Sequence, residues 1–191
     1  MSYVGLEEFK AYVRSEIGAV DDGDLAAVLA SAEDAVDDHC GRSFAVAGDG
    51  SARVYVPTGT DALYIHDATT ITSVVDDGTT LTSGTDYQKE PLNSLVGALS
   101  VPYYRLRRLG GSWDGDSNEA TVTVTATWGW SATPERVKQA TKMLAKELLE
   151  ARNNKSGYVE LGDMAARALT HPKFAMLLDR LRRMDVVGGV A

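Results

Sequence analysis

The hydrophobic period of this chain changes twice along its length. From Thr121 to Trp128 apolar and polar residues alternate: Val122, Val124, Ala126 and Trp128 face one way, and Thr121, Thr123, Thr125 and Thr127 the other. Successive side chains of a strand point to opposite faces, so this run reads as a strand with one buried face and one polar, uncharged face. On either side of that region the spacing is three and four. Leu6, Phe9, Val13 and Ile17 make one stripe; Leu25, Val28, Leu29, Ala32, Val36 and Cys40 a second; Val137, Ala140, Thr141, Leu144 and Leu148 a third. Such spacing gathers each set on one face of a helix. The expected fold class is therefore α+β. Helices near 6–17, 24–40, 134–153 and 171–184 form a core from both chain ends, and a small antiparallel sheet is inserted at about 44–130. Residues 1–191 read as a single domain, with 185–191 as a flexible tail.

Local signals punctuate the elements. Gly18 stops the first helix, and the acids of Asp21–Asp24 suit the positive end of the second, which closes at Gly41. Thr133 is a good N-cap with Pro134 at the first helical position. A last helix starts near Thr170–Pro172, with Phe174, Leu177, Leu178 and Leu181 on its apolar face, and a short helix is placed at 163–169. The expected strands are Arg53–Val56, Leu63–His66, Ile71–Asp76, Tyr87–Glu90, Ala98–Tyr104 and Ala120–Trp128. Asp77-Gly78 is a strong hairpin turn signal.

Charge narrows the function classes. The net charge is −8, which argues against a protein that wraps DNA by neutralising phosphates. Residues 1–50 hold 11 acids and 3 bases, whereas residues 134–191 hold 7 acids and 11 bases. The chain is acidic at its front and basic at its back. Its one cysteine, Cys40, excludes an intrachain disulfide and suits a reducing cytoplasm. No secretory signal is expected from MSYVGLEEFKAYV, and no apolar run approaches the roughly 20 residues that span a bilayer, so no membrane partner is expected.

No catalytic constellation can be assembled, and an enzyme is not expected. His39 and Cys40 are adjacent, but neighbouring helix positions do not face each other, and Cys40 lies on an apolar stripe. His66 and His171 stand alone by type, and three histidines with one cysteine give no zinc spacing. Asp114, Asp116 and Asn118 have the look of a calcium loop, but Glu119 stands where the loop needs glycine. There is no GxxxxGK[ST] and no GxGxxG, so no cofactor is expected.

A set of residues in fixed order carries a family likeness. It comprises Leu25, Ala32 and Val36 ahead of Cys40-Gly41-Arg42-Ser43-Phe44, then Val74, Asp77-Gly78, Leu81 and Asp86-Tyr87, then Val122–Trp130 (VTVTATWGW), Pro134 and Val137-Lys138-Gln139-Ala140. Over roughly residues 6–150 the chain resembles the phage head–tail connector (adaptor, or head completion) proteins. The resemblance implies a virion protein made in the host cytoplasm. Its copies would form a ring, usually dodecameric, that docks under the portal protein. That ring would extend the channel through which packaged DNA passes, without sequence-specific binding, and offer a platform to a stopper or tail-completion protein. Another completion protein (a stopper or tail terminator) or a small nucleic-acid-binding module are the alternatives.

Three surfaces follow as expectations. Ring closure needs a heterologous interface between two different patches, and Asp34, Asp37 and Asp38 could meet Lys138, Lys142 and Lys146 of a neighbour; the plainer reading has these charges solvated or paired within one subunit. Tyr103, Tyr104, Arg105, Arg107 and Arg108, with Trp113 in the loop beyond, form an aromatic and basic cluster for a partner or the DNA channel, or else a solvated strand end with one loop aromatic packed back on the sheet. Arg180, Arg182 and Arg183, with Val186 and Val187 of the tail, are the expected portal contact; a basic helix end complementing the helix dipole is the alternative.

Overall fold

The computed structural model describes residues 2–14, 21–94, 100–113, 119–153, 169 and 171–183. In chain order the elements are α1 (Leu6–Val13), α2 (Asp22–Cys40), β1 (Ser51–Tyr55), β2 (Ala62–Asp76), β3 (Thr79–Leu81), β4 (Tyr87–Glu90), β5 (Tyr103–Arg108), β6 (Val122–Trp128), α3 (Glu135–Asn153) and α4 (Pro172–Leu178). A 3-10 turn, Asp179–Leu181, follows α4. The fold class is α+β, as the change of period predicts. Two compact units divide the chain: Met1–Ala45 with Thr133–Ala191, and Val46–Ala132.

The first unit is helical. The Asp21 carboxylate accepts from the Gly23 N–H and opens α2, with Asp22 and Asp24 in the first turn. Gly41 ends it in the left-handed region (φ 62°), where glycine adds no Cβ strain, and Arg42 N–H returns to the Asp37 carbonyl. The expected stripe of α2 is buried throughout. It packs on α3, whose Val137, Ala140, Leu144, Ala145, Leu148 and Leu149 are buried in turn. Phe9 and Val13 of α1 and Phe174 and Leu178 of α4 complete this core; each such side chain contributes about 1.5–3 kcal/mol on leaving water.

Two ends differ from expectation. The Thr133 hydroxyl does not cap α3 but donates to the buried Phe44 carbonyl at 3.1 Å, and the Pro134 carbonyl takes the first helical N–H groups. A buried carbonyl without a donor is costly, and the Thr133 hydroxyl supplies that donor. α4 stops at Leu178 and tightens into the 3-10 turn, which sinks Leu181 into the core. Residues 14–17 of the first expected helix fall largely outside the described residues, as do the 163–169 helix except for Leu169, and the 185–191 tail.

The second unit is a six-stranded antiparallel sheet of order β1-β6-β2-β5-β4, with β3 paired to β2. Its core is drawn from alternate residues: Leu63, Ile65, Ile71, Val74, Leu106, Val122, Val124 and Trp128 among them. β6 buries the Val122 to Trp128 face and leaves the threonine face half-buried, as its alternation predicts. The two strands expected at 63–66 and 71–76 are one strand, β2. Register shifts at Ala68/Thr70 and Ile71/Ser73 change which residues face inward, and that hid the continuity. Polar Asp67 within it is buried and accepts the Trp130 indole N–H at 3.2 Å. Asp77 (φ 43°) and Gly78 (φ 76°) make the β2–β3 turn, both in the left-handed region that an Asp-Gly hairpin uses. β3 is three residues long, too short to show a period. β5 runs from Tyr103 to Arg108, not from 98 to 104: the basic run is itself the strand.

Candidate functional site

Strand geometry sorts the aromatic and basic cluster. On β5, Arg105 and Arg107 fall on one face and Leu106 and Arg108 on the other; Tyr103, paired with the core residue Ala68 beyond a register shift, packs partly against the sheet core. Glu90 of β4 lies directly opposite Arg105, which lies opposite Tyr64 of β2. The Glu90 side chain is 10% exposed. It accepts from Arg105 Nε at 2.6 Å, and Arg107 Nε lies 3.0 Å from its other oxygen. Arg107 also reaches Asp61 at 3.6 Å. Arg105 stands over the exposed Tyr64 ring at 6.0 Å, and Lys89 over Tyr103 at 5.6 Å. The result is a face of rings and guanidinium planes held by one buried carboxylate. Glu90 carries this arrangement, and nothing in its own stretch of sequence marks it, because its partners lie 15 and 17 residues away on the next strand.

Trp113 does not belong to that half-buried face. Its side chain is fully buried, its indole N–H donates to the Asp61 carbonyl at 3.0 Å, and its backbone N–H to Thr60 at 2.9 Å. Arg108 lies over its ring at 5.4 Å, with Asp76 at 4.0 Å. The loop aromatic is thus packed back on the sheet core, where the Asp61 carbonyl accepts its N–H.

The expected acidic and basic patches lie in the helical unit. Asp34 and Asp38 are exposed on the outer side of α2. Asp37 is turned inward: the Tyr3 hydroxyl donates to it at 2.7–2.8 Å. Burial pushes its carboxyl up to about 6, and the hydrogen bonds of Tyr3 and Ser43 oppose that rise only in part. The three lysines all have acids within the chain. Lys138 pairs with Glu135 at 2.8 Å, Lys142 with Glu8 at 2.9 Å, and Lys146 with Glu150 at 3.7 Å. Lys142 also lies 5.8 Å from the Tyr12 ring. Arg180 and Arg182 are exposed on and beside the 3-10 turn, and Arg183 is half-buried. Arg183 N–H donates to the Cys40 carbonyl at 2.9 Å, and the buried Arg42 guanidinium to the Leu181 carbonyl at 3.1 Å. Val186 and Val187 lie outside the described residues.

Cys40 is buried, and loss of solvent pushes its thiol up to about 12. Burial, with Arg182 nearby, lowers His39 from the usual histidine value. His66 is bonded to the Tyr55 hydroxyl through Nδ1 at 2.9 Å. Asp114, Asp116 and Asn118 lie outside the described residues. Among the described residues no group of three His, Cys, Asp or Glu side chains could hold a metal, and no helix is long and apolar enough to cross a membrane.

No family model and no curated protein matches the chain. Solved structures do. A chain in the virion of a native gene transfer agent particle superposes with a TM-score of 0.55 at 22% identity, covering 98% of this chain and 93% of that one. A chain in the neck of an empty gene transfer agent particle, computed with C6 symmetry, gives 0.54 at 21% identity with the same coverage. This is a likeness of fold, and it extends over nearly the whole of both chains.

Proposed function

We propose that the chain is a structural neck protein of a phage-like particle: a connector whose copies form a ring under a portal, extend the DNA channel and receive a stopper or tail-completion protein. The observation that carries this reading is the end-to-end fold likeness to a chain from the neck of a gene transfer agent particle. Co-extension matters because a shared sheet or helical hairpin alone would say little. The ordered residues from Leu25 to Ala140 that resemble head–tail connectors support the same reading independently. On it, the protein is not an enzyme and needs no cofactor.

Each surface has its own partner on this reading. Asp34 and Asp38 face solvent and are the acidic side of a subunit contact; Asp37 is not part of it. Lys138, Lys142 and Lys146 join such a contact by exchanging partners, so each pair adds little net free energy, as exposed pairs do. The Tyr64, Tyr103, Arg105 and Arg107 face receives a protein. Its guanidinium groups are already held by Glu90, which favours docking of rings and carbonyls over phosphate neutralisation and disfavours the nucleic-acid module. Arg180, Arg182 and Arg183, with the segment bearing Val186 and Val187, make the portal contact.

Localisation tests this. Cryo-electron microscopy of particles made with and without the gene should show density for this chain between portal and tail in the first, and tail-less heads in the second. Particles that keep an unaltered neck without it would refute the reading.

A further inference from the structure

The Ser2–Val4 segment is strapped to α2 by two carboxylates one helical turn apart. The Glu33 carboxylate accepts from the Ser2 hydroxyl at 2.6 Å and from the backbone N–H groups of Tyr3 and Val4 at 2.6 and 3.3 Å. One turn on, Asp37 accepts from the Tyr3 hydroxyl. That hydroxyl also accepts from the Phe44 N–H at 2.9 Å and lies 3.1 Å from the Ser43 hydroxyl. The Tyr3 ring, 7% exposed, meets the fully buried Phe44 ring edge-on at 6.2 Å. One phenol oxygen thus joins the strap, the α2 helix and the first residues after it.

We propose that Tyr3 and Asp37 form a proton-operated clasp, which holds the Ser2–Val4 strap and Phe44 in place when Asp37 is neutral and loosens them when it is charged. The groups around Asp37 favour this sense. Burial comes first, Glu33 and Asp34 on α2 add like charge and Cys40 supplies only a neutral thiol, whereas the hydroxyl donors of Tyr3 and Ser43 oppose this sense in part. The charged form is opposed chiefly by lost hydration, and lifting the strap returns the carboxylate to water. A carboxyl raised from 3.8 to about 6 in the closed state binds a proton more tightly there than in the open state. Closure is therefore strongest below about pH 4 and is progressively lost as pH rises through about 6. If opening restores the ordinary value in full, the closing constant falls on the order of 10²-fold across that window, because closure weakens by the same factor by which it tightens the proton on Asp37.

Nuclear magnetic resonance of the whole chain tests the clasp without reference to assembly. Amide exchange protection at Tyr3 and Phe44, corrected for intrinsic rate, should fall as pH rises through about 6. Asp37→Asn keeps an acceptor for the phenol but cannot ionise, so protection should stay high and flat. Tyr3→Phe should show low protection at every pH. Flat protection in the unaltered chain, or an unchanged titration in Asp37→Asn, would overturn the proposal.

Discussion

The Arg42 guanidinium donates to the Leu181 carbonyl across 139 residues of chain. With Arg183 N–H on the Cys40 carbonyl, it ties the 3-10 turn to the C-terminus of α2. Arg42→Ala leaves a carbonyl without its donor, so it should cost about 1.5–3 kcal/mol, the range for a hydrogen bond to a charged group. Urea unfolding checks this, and Arg42→Lys, which keeps a donor but not its fork, should fall between the two.

Trp113 should be a stability residue and not a contact residue. Trp113→Ala removes a fully buried indole and is expected to cost about 3–5 kcal/mol. Trp113→Phe, which loses the N–H to Asp61 but keeps most of the volume, should cost less. Denaturant midpoints would separate the two.

Glu90 should hold the β5 arginines. Glu90→Ala strands two guanidinium groups that now share one buried carboxylate. A loss of about 1.5–3 kcal/mol is expected, the range for charge-assisted hydrogen bonds, held down by the partial exposure of both arginines. Glu90→Gln should recover part of it. Thermal unfolding at low and high salt is the measurement, and the effect should change little with salt, because a buried carboxylate is poorly screened.

Cys40 should behave as an inert thiol. Its folded value is about 12 against 9.0 for an ordinary cysteine, so the unfolded chain loses the proton first. The associated stability is present below about pH 9 and lost as pH rises from there towards 12. Alkylation by iodoacetamide near neutral pH should proceed only after denaturation, and Cys40→Ala should remove this part of the alkaline loss.

Much of the fold was legible because its signals are local. The α2 stripe, Gly41, the Asp77-Gly78 turn and the β6 alternation each rest on residues within a few positions of one another, and each stands where the sequence predicts. What stayed hidden depends on partners far along the chain. Two register shifts hid that the strands at 63–66 and 71–76 are one strand, β2. The Thr133 hydroxyl donates to a buried carbonyl 89 residues away, a partner that no local signal marks. The arginines of β5 sit within a strand because Glu90 meets them from the neighbouring one. Asp37 reads as a surface acid on charge alone, and it is Tyr3, 34 residues earlier, with Ser43 beside it, that engages it on the inner side.

The central claim is that copies of this chain build a ring at a portal. Mass photometry with negative-stain imaging of the purified chain, alone and mixed with the portal protein of the same particle, tests it most directly. The account predicts rings, or monomers that assemble into a ring on the portal. A monomer that remains one and ignores the portal would contradict it.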